Sequence, residues 1–92
     1  MKIVPRTFHD GKVQSLRYQT AEGKDCSVGV VLPGTYFFPV HKRKELMYVT
    51  GGKLTINGKE YVEGGIPFEI NAGDEFTIVA EIPSSYIAHF PE

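Results

Sequence analysis

The sequence predicts an all-β fold of about eight to ten antiparallel strands, built as a single domain over residues 1–92. Three observations lead there. Short runs rich in Val, Ile, Thr, Tyr and Phe recur along the chain, cut every several residues by Gly, Asn, Asp or Pro. No window repeats apolar residues at the three-to-four-residue spacing of an amphipathic helix. Ten Gly and six Pro supply many turns without the density of a disordered or collagen-like chain. At 92 residues the chain can build one core and not two.

The elements follow in order. Lys12 to Thr20 alternates, with Val13, Leu16 and Tyr18 as its apolar members, and its phase slips once, as a β-bulge would make it do. Cys26 to Leu32 is a compact β-branched run closed by Pro33-Gly34. Thr35 to Val40 follows, and Pro39 places it at a sheet edge or a strand end, because proline cannot donate to the ladder. Glu45 to Thr50 ends at Gly51-Gly52. Lys53 to Ile56 and Lys59 to Val62 flank Asn57-Gly58, the strongest short hairpin signal, since both residues tolerate positive φ. Phe68 to Asn71, Glu75 to Glu81 and Ser84 to Phe90 complete the set. This spacing favours an antiparallel sandwich or small barrel.

Composition narrows the function classes. Ten basic and eleven acidic side chains leave a formal charge of -1, which gives no global attraction to nucleic acid or an anionic membrane. The longest uncharged run, Cys26 to His41, is too short and too broken by Gly and Pro to span a bilayer. Cys26 stands alone and cannot form an internal disulfide, which suits a reducing compartment. The opening Met1 to Arg6 lacks the apolar stretch of a secretory signal, so a cytoplasmic protein is expected. Several strands are apolar on both faces, Val28, Val30 and Leu32 against Val31 for instance. The second face needs a cover, for which a homodimer is the simplest candidate.

Two stretches resemble the motifs of the cupin family of small β-barrels and jelly rolls. The first runs from Gly34 through His41 and Glu45 to Gly51, and the second from Gly65 through Asn71 and Gly73 to Phe76. The turn positions match, but the ligand set does not. A metal cupin converges about three imidazoles and one carboxylate on one ion. His41 and Glu45 could supply one of each, whereas Arg43 and Phe76 stand where the other two histidines are expected. A guanidinium repels a cation, so no metal and no other cofactor is expected.

A closer resemblance covers Ser27 to Phe90. The run Ser27 to Phe38, the stretches Glu45 to Leu54 and Tyr61 to Gly65, and the ending Phe68 to Phe76 with Pro83 to Phe90 are similar to the small pyrimidine/purine nucleoside phosphorylases. That resemblance implies cleavage of purine and pyrimidine nucleosides by inorganic phosphate to free base and ribose 1-phosphate, with broad specificity, without a metal, in a homodimer.

Such chemistry assigns candidate roles. Glu45 suits the ribose, since a carboxylate accepts hydrogen bonds from vicinal hydroxyls and favours a developing cation. Arg43, in the basic turn Lys42 to Lys44, and Ser27 are candidates for phosphate. Tyr36, Phe38, Tyr48, Phe76 and Tyr86 could stack on or bind the nucleoside, and each could equally be a packed core side chain. His89 could protonate the leaving base or bind phosphate. Tyr86 and His89 lie three apart on one strand, so alternation sends them to opposite faces unless the strand is bulged. Cys26 has no histidine–acid pair at recognisable spacing and reads as a small buried apolar side chain. Two other readings stay open: a sugar- or nucleotide-binding module without turnover, and a metal-dependent cupin enzyme. Four basic residues around one turn, His41 to Lys44, are too few for a nucleic-acid surface.

Overall fold

The computed structural model describes residues 2–39 and 42–91. The described residues form ten strands and no helix: β1 (Val4–Phe8), β2 (Val13–Gln19), β3 (Asp25–Val31), β4 (Gly34–Phe38), β5 (Glu45–Gly51), β6 (Lys53–Ile56), β7 (Lys59–Val62), β8 (Phe68–Ile70), β9 (Phe76–Ala80) and β10 (Ser84–His89). Every pairing is antiparallel. A six-stranded sheet runs β1-β2-β3-β10-β5-β8, and a four-stranded sheet runs β4-β9-β6-β7. The last strand is thus inserted between β3 and β5. This is a jelly roll of the cupin class, and its two sheets face each other without closing into a hydrogen-bonded barrel.

Alternation along the strands builds the core. Val31, Leu54, Ile56, Ile70 and Ile78 point between the sheets and are almost wholly excluded from solvent. Burying one such side chain stabilises the fold by roughly 1.5–3 kcal/mol. The β6–β7 hairpin turns at Asn57 and Gly58 with φ of 50° and 82°, as its sequence predicts. Asn57 Oδ1 also accepts from the Thr77 amide at 3.0 Å, which ties this turn to β9. Strand β4 lies at the edge of its sheet with Pro39 just beyond its end, which removes any demand for a proline donor.

One strand is added to those read from the sequence, and one expectation is corrected. The chain forms a strand, β1, ahead of Lys12; Val4–Phe8 is exposed throughout and holds its place by pairing with β2. The phase slip in β2 is not a bulge, because its registers with β1 and β3 run unbroken. Both faces of β2 carry apolar residues, and polar Ser15 and Arg17 occupy the inner face beyond Val13. The register shift in this sheet lies instead between β10 and β5, where Ser85 faces Gly51 and Tyr86 faces Val49, leaving Thr50 as the extra residue.

Candidate active site

A cavity of about 260 Å³ opens between the inner face of the large sheet and the β4–β9 end of the small one. One row of its floor follows from register: Arg6 pairs with Ser15, Ser15 with Gly29, Gly29 with Tyr86, and Tyr86 with Val49. The neighbouring row pairs Arg17 with Ser27, Ser27 with Ala88, and Ala88 with Met47. Glu45 lies two residues from Met47 on β5 and so faces the same way. Arg6, Ser15, Arg17, Ser27, Glu45 and Tyr86 all line the cavity.

Its polar groups are held in a largely apolar setting. Glu45 is only 6% exposed, and Ser15, Ser27 and Tyr86 are buried as well. Burial pushes the Tyr86 phenol up to about 12, and the nearby Glu45 charge adds to the rise. Hydrogen bonding with the Ser15 and Ser27 hydroxyls pulls in the opposite direction. At neutral pH Tyr86 is therefore a protonated hydroxyl next to a carboxylate and two serines. A buried group of this kind is a good orienting donor and a poor base.

Aromatic rings form the opposite wall. Phe38 stacks on Phe76 with centroids 5.0 Å apart and planes 12° from parallel. Phe8 meets Phe38 edge-on at 5.7 Å, and His9 meets it at 5.2 Å. His9 Nε2 donates to the Phe37 carbonyl at 3.0 Å, fixing that ring at the rim. At the other rim two guanidinium groups pack on the Phe90 ring, with Arg17 Cζ 4.5 Å and Arg43 Cζ 4.9 Å from its centroid.

Of the residues singled out in the sequence, Ser27, Phe38, Glu45, Phe76 and Tyr86 converge on this cavity. Tyr36 is buried in the core, where its hydroxyl approaches the Leu32 and Pro33 carbonyls at 2.7 and 3.0 Å and braces the turn before β4. Tyr48 and His89 pack together on the outer face of the large sheet, centroids 5.9 Å apart. Strand β10 is unbroken from Tyr86 to His89, so the two point to opposite faces. Arg43 donates to Asp25 Oδ2 at 2.8 Å and approaches the Phe90 carbonyl at 3.5 Å. Arg43 first, and then Gln19, hold the Asp25 carboxyl below the usual carboxylate range. Cys26 is buried on the outer face under Tyr18, its Sγ 3.5 Å from the Tyr18 hydroxyl.

Arg6, Ser15 and Arg17 escaped the reading of the sequence. Their signal was present in the alternation: Ser15 and Arg17 share the parity of Val13, and Arg6 that of Val4 and Phe8. A polar residue on an inward parity marks a cavity in the same way that an apolar one marks a core. The donor set of a metal cupin does not assemble among the described residues. No three His, Cys, Asp or Glu side chains come together there, and Phe76 presents a ring where an imidazole would be needed. His41 lies outside the described residues. No helix of the described residues is long and apolar enough to cross a membrane.

The model of the pyrimidine/purine nucleoside phosphorylase family matches residues 5–90. A pyrimidine/purine nucleoside phosphorylase of Pseudomonas putida is 39% identical over 75 residues, covering 80% of this chain and 73% of that protein. One of Alcanivorax borkumensis is 34% identical over 91 residues, covering 92% and 94%. A crystal structure of a protein of unknown function from Vibrio parahaemolyticus superposes with a TM-score of 0.86 at 28% identity, covering 97% of this chain and 98% of that one. The matched segment reaches from β1 to Phe90 and so contains every residue that lines the cavity, and the chain belongs to the pyrimidine/purine nucleoside phosphorylase family.

Proposed function

We propose that this chain cleaves nucleosides with inorganic phosphate in the cavity beside Glu45, giving the free base and ribose 1-phosphate. One observation carries the reading: a buried carboxylate, a protonated Tyr86 and two buried serines face an aromatic wall across one cavity. In the reaction the bond from C1′ to the base nitrogen breaks and its electron pair leaves with the base. An oxygen of hydrogen phosphate bonds to C1′, and the proton of that phosphate ends on the base. Positive charge builds on the ribose as the bond opens, as in glycoside cleavage.

The residues take roles that follow from their chemistry. Glu45 accepts hydrogen bonds from the ribose 2′ and 3′ hydroxyls and stabilises the cationic sugar at short range in a site of low dielectric. Tyr86 donates to a substrate oxygen and holds its place through the serines. Phe38 and Phe76 offer ring surface to the base; every base has a π-face, so this wall suits purines and pyrimidines alike. No step of this reading calls on a metal. The outer face of the large sheet, where Leu16 and Val30 are exposed beside Val28 and Ile87, serves as the interface of a homodimer. The protein works in the cytoplasm, where nucleosides and phosphate are both at hand.

The test is a panel of uridine, adenosine and inosine incubated with and without phosphate. Base release that needs phosphate and yields ribose 1-phosphate supports the reading. Equal release without phosphate makes the protein a hydrolase. Ligand-induced stabilisation without any product makes it a binding module.

A further inference from the structure

We propose that Arg6 on β1 and Arg17 on β2, with the hydroxyls of Ser15 and Ser27, form the phosphate subsite of the cavity. The inference rests on the phosphorolysis read above and assigns where its anionic substrate is held. Register puts the four groups together. Arg6 is the cross-strand partner of Ser15, and Arg17 that of Ser27, all on the inner face. Among the described residues neither Arg6 nor Arg17 forms a contact ion pair; the Asp25 carboxylate feels the Arg17 charge, but its direct partner is Arg43 at 2.8 Å. Arg17 rests against the Phe90 ring at 4.5 Å. A ring holds the flat side of a guanidinium and leaves its N–H edge directed elsewhere, the edge that binds phosphate oxygens in pairs.

Charge then orders the two substrates. The arginines sit on β1 and β2 and Glu45 on β5, with β3 and β10 between them. Three strand spacings separate the backbones of β2 and β5, about 14 Å. A dianion at the basic end is thus kept off the carboxylate, which is left to the neutral ribose. Tyr86, on β10, lies between the two ends and reaches Ser15 over Gly29. The cavity has a phosphate end and a sugar end, and the attacking oxygen is delivered along the line joining them.

The experiment is calorimetric titration of the full chain with inorganic phosphate alone, followed by phosphorolysis kinetics. Wild type, Arg6→Gln, Arg17→Gln, Arg17→Lys and Arg43→Gln are compared. The expected result is that each Gln variant at 6 or 17 weakens phosphate binding about tenfold or more and raises KM for phosphate without raising KM for the nucleoside, as loss of a charge-assisted hydrogen bond requires. Arg17→Lys keeps the charge and recovers part of the affinity, and it replaces Arg17→Gln if that variant does not fold. The assignment is overturned if wild type takes up no phosphate, or if Arg43→Gln loses phosphate while the variants at 6 and 17 keep it. Phosphate binding that depends on Arg6 and Arg17, with no phosphorolysis of any nucleoside, leaves the subsite standing and sinks the enzymatic reading instead.

Discussion

The Tyr86 ring lies directly over Gly29 on the neighbouring strand: a Cβ at residue 29 would stand 2.4 Å from the Tyr86 Cζ. This glycine is set by contact, not by backbone angle, since its φ is not positive. The missing side chain lets a phenol on β10 cross β3 and meet Ser15 on β2.

Gly29→Ala therefore has to displace Tyr86. The expected cost is about 1–3 kcal/mol of stability, the range for overpacking, with a drop in activity alongside it. Urea unfolding of Gly29→Ala, Tyr86→Ala and the double variant checks the cause. The alanine at 29 should cost much less once the ring is gone. Equal cost in both backgrounds would show that the ring is not what excludes a side chain there.

Glu45→Gln keeps size and hydrogen-bonding capacity but removes the charge. Turnover should fall by roughly 10²–10³, the scale of losing one electrostatic contact made to a developing charge. A thermal midpoint close to wild type would show that the fold survives the change. Steady-state kinetics and a melting curve decide it; a near-normal rate takes Glu45 out of the mechanism.

The Tyr86 hydroxyl keeps its proton to about 12 in the folded state, against an ordinary value of 10.0. The folded state thus binds this proton more tightly than the unfolded chain. The associated stability is fully present below about pH 10 and is lost as pH rises through about 12. The displacement corresponds to about 3 kcal/mol at most. Tyr86→Phe should flatten the fall in stability over this alkaline range and remove a phenol that titrates at about 12 from an ultraviolet absorbance titration.

On the outer face, Val30 is 48% and Leu16 42% exposed. Val30→Lys places a charge in the proposed homodimer interface, which an apolar contact cannot accommodate without several kcal/mol of cost. Sedimentation equilibrium should show a dimer for wild type and a monomer for this variant. A wild-type chain that stays monomeric at high concentration would leave that face to solvent.

The amino-acid sequence by itself determined what depends on neighbours along the chain. The strand–turn rhythm, the hairpin at Asn57-Gly58 and the edge position beside Pro39 follow from local φ preference and donor count. The opposition of Tyr86 and His89 follows from a period of two. Recurring turn and strand motifs were also enough to bring out the family resemblance, and with it Glu45, Ser27, Phe38 and Phe76 as candidates. Only the tertiary structure decided which parity of each strand faces inward and which distant strands lie side by side. Inserting β10 between β3 and β5 brings Ser15, Gly29 and Tyr86 into one row, although residues 15 and 86 are far apart in the chain. The same packing turns Arg43 to Asp25 and leaves Arg6 and Arg17 at the cavity. Parity says which residues share a face, but pairing between remote segments sets what that face meets. That pairing is chosen by burial summed over the whole core, not by any stretch of sequence read alone.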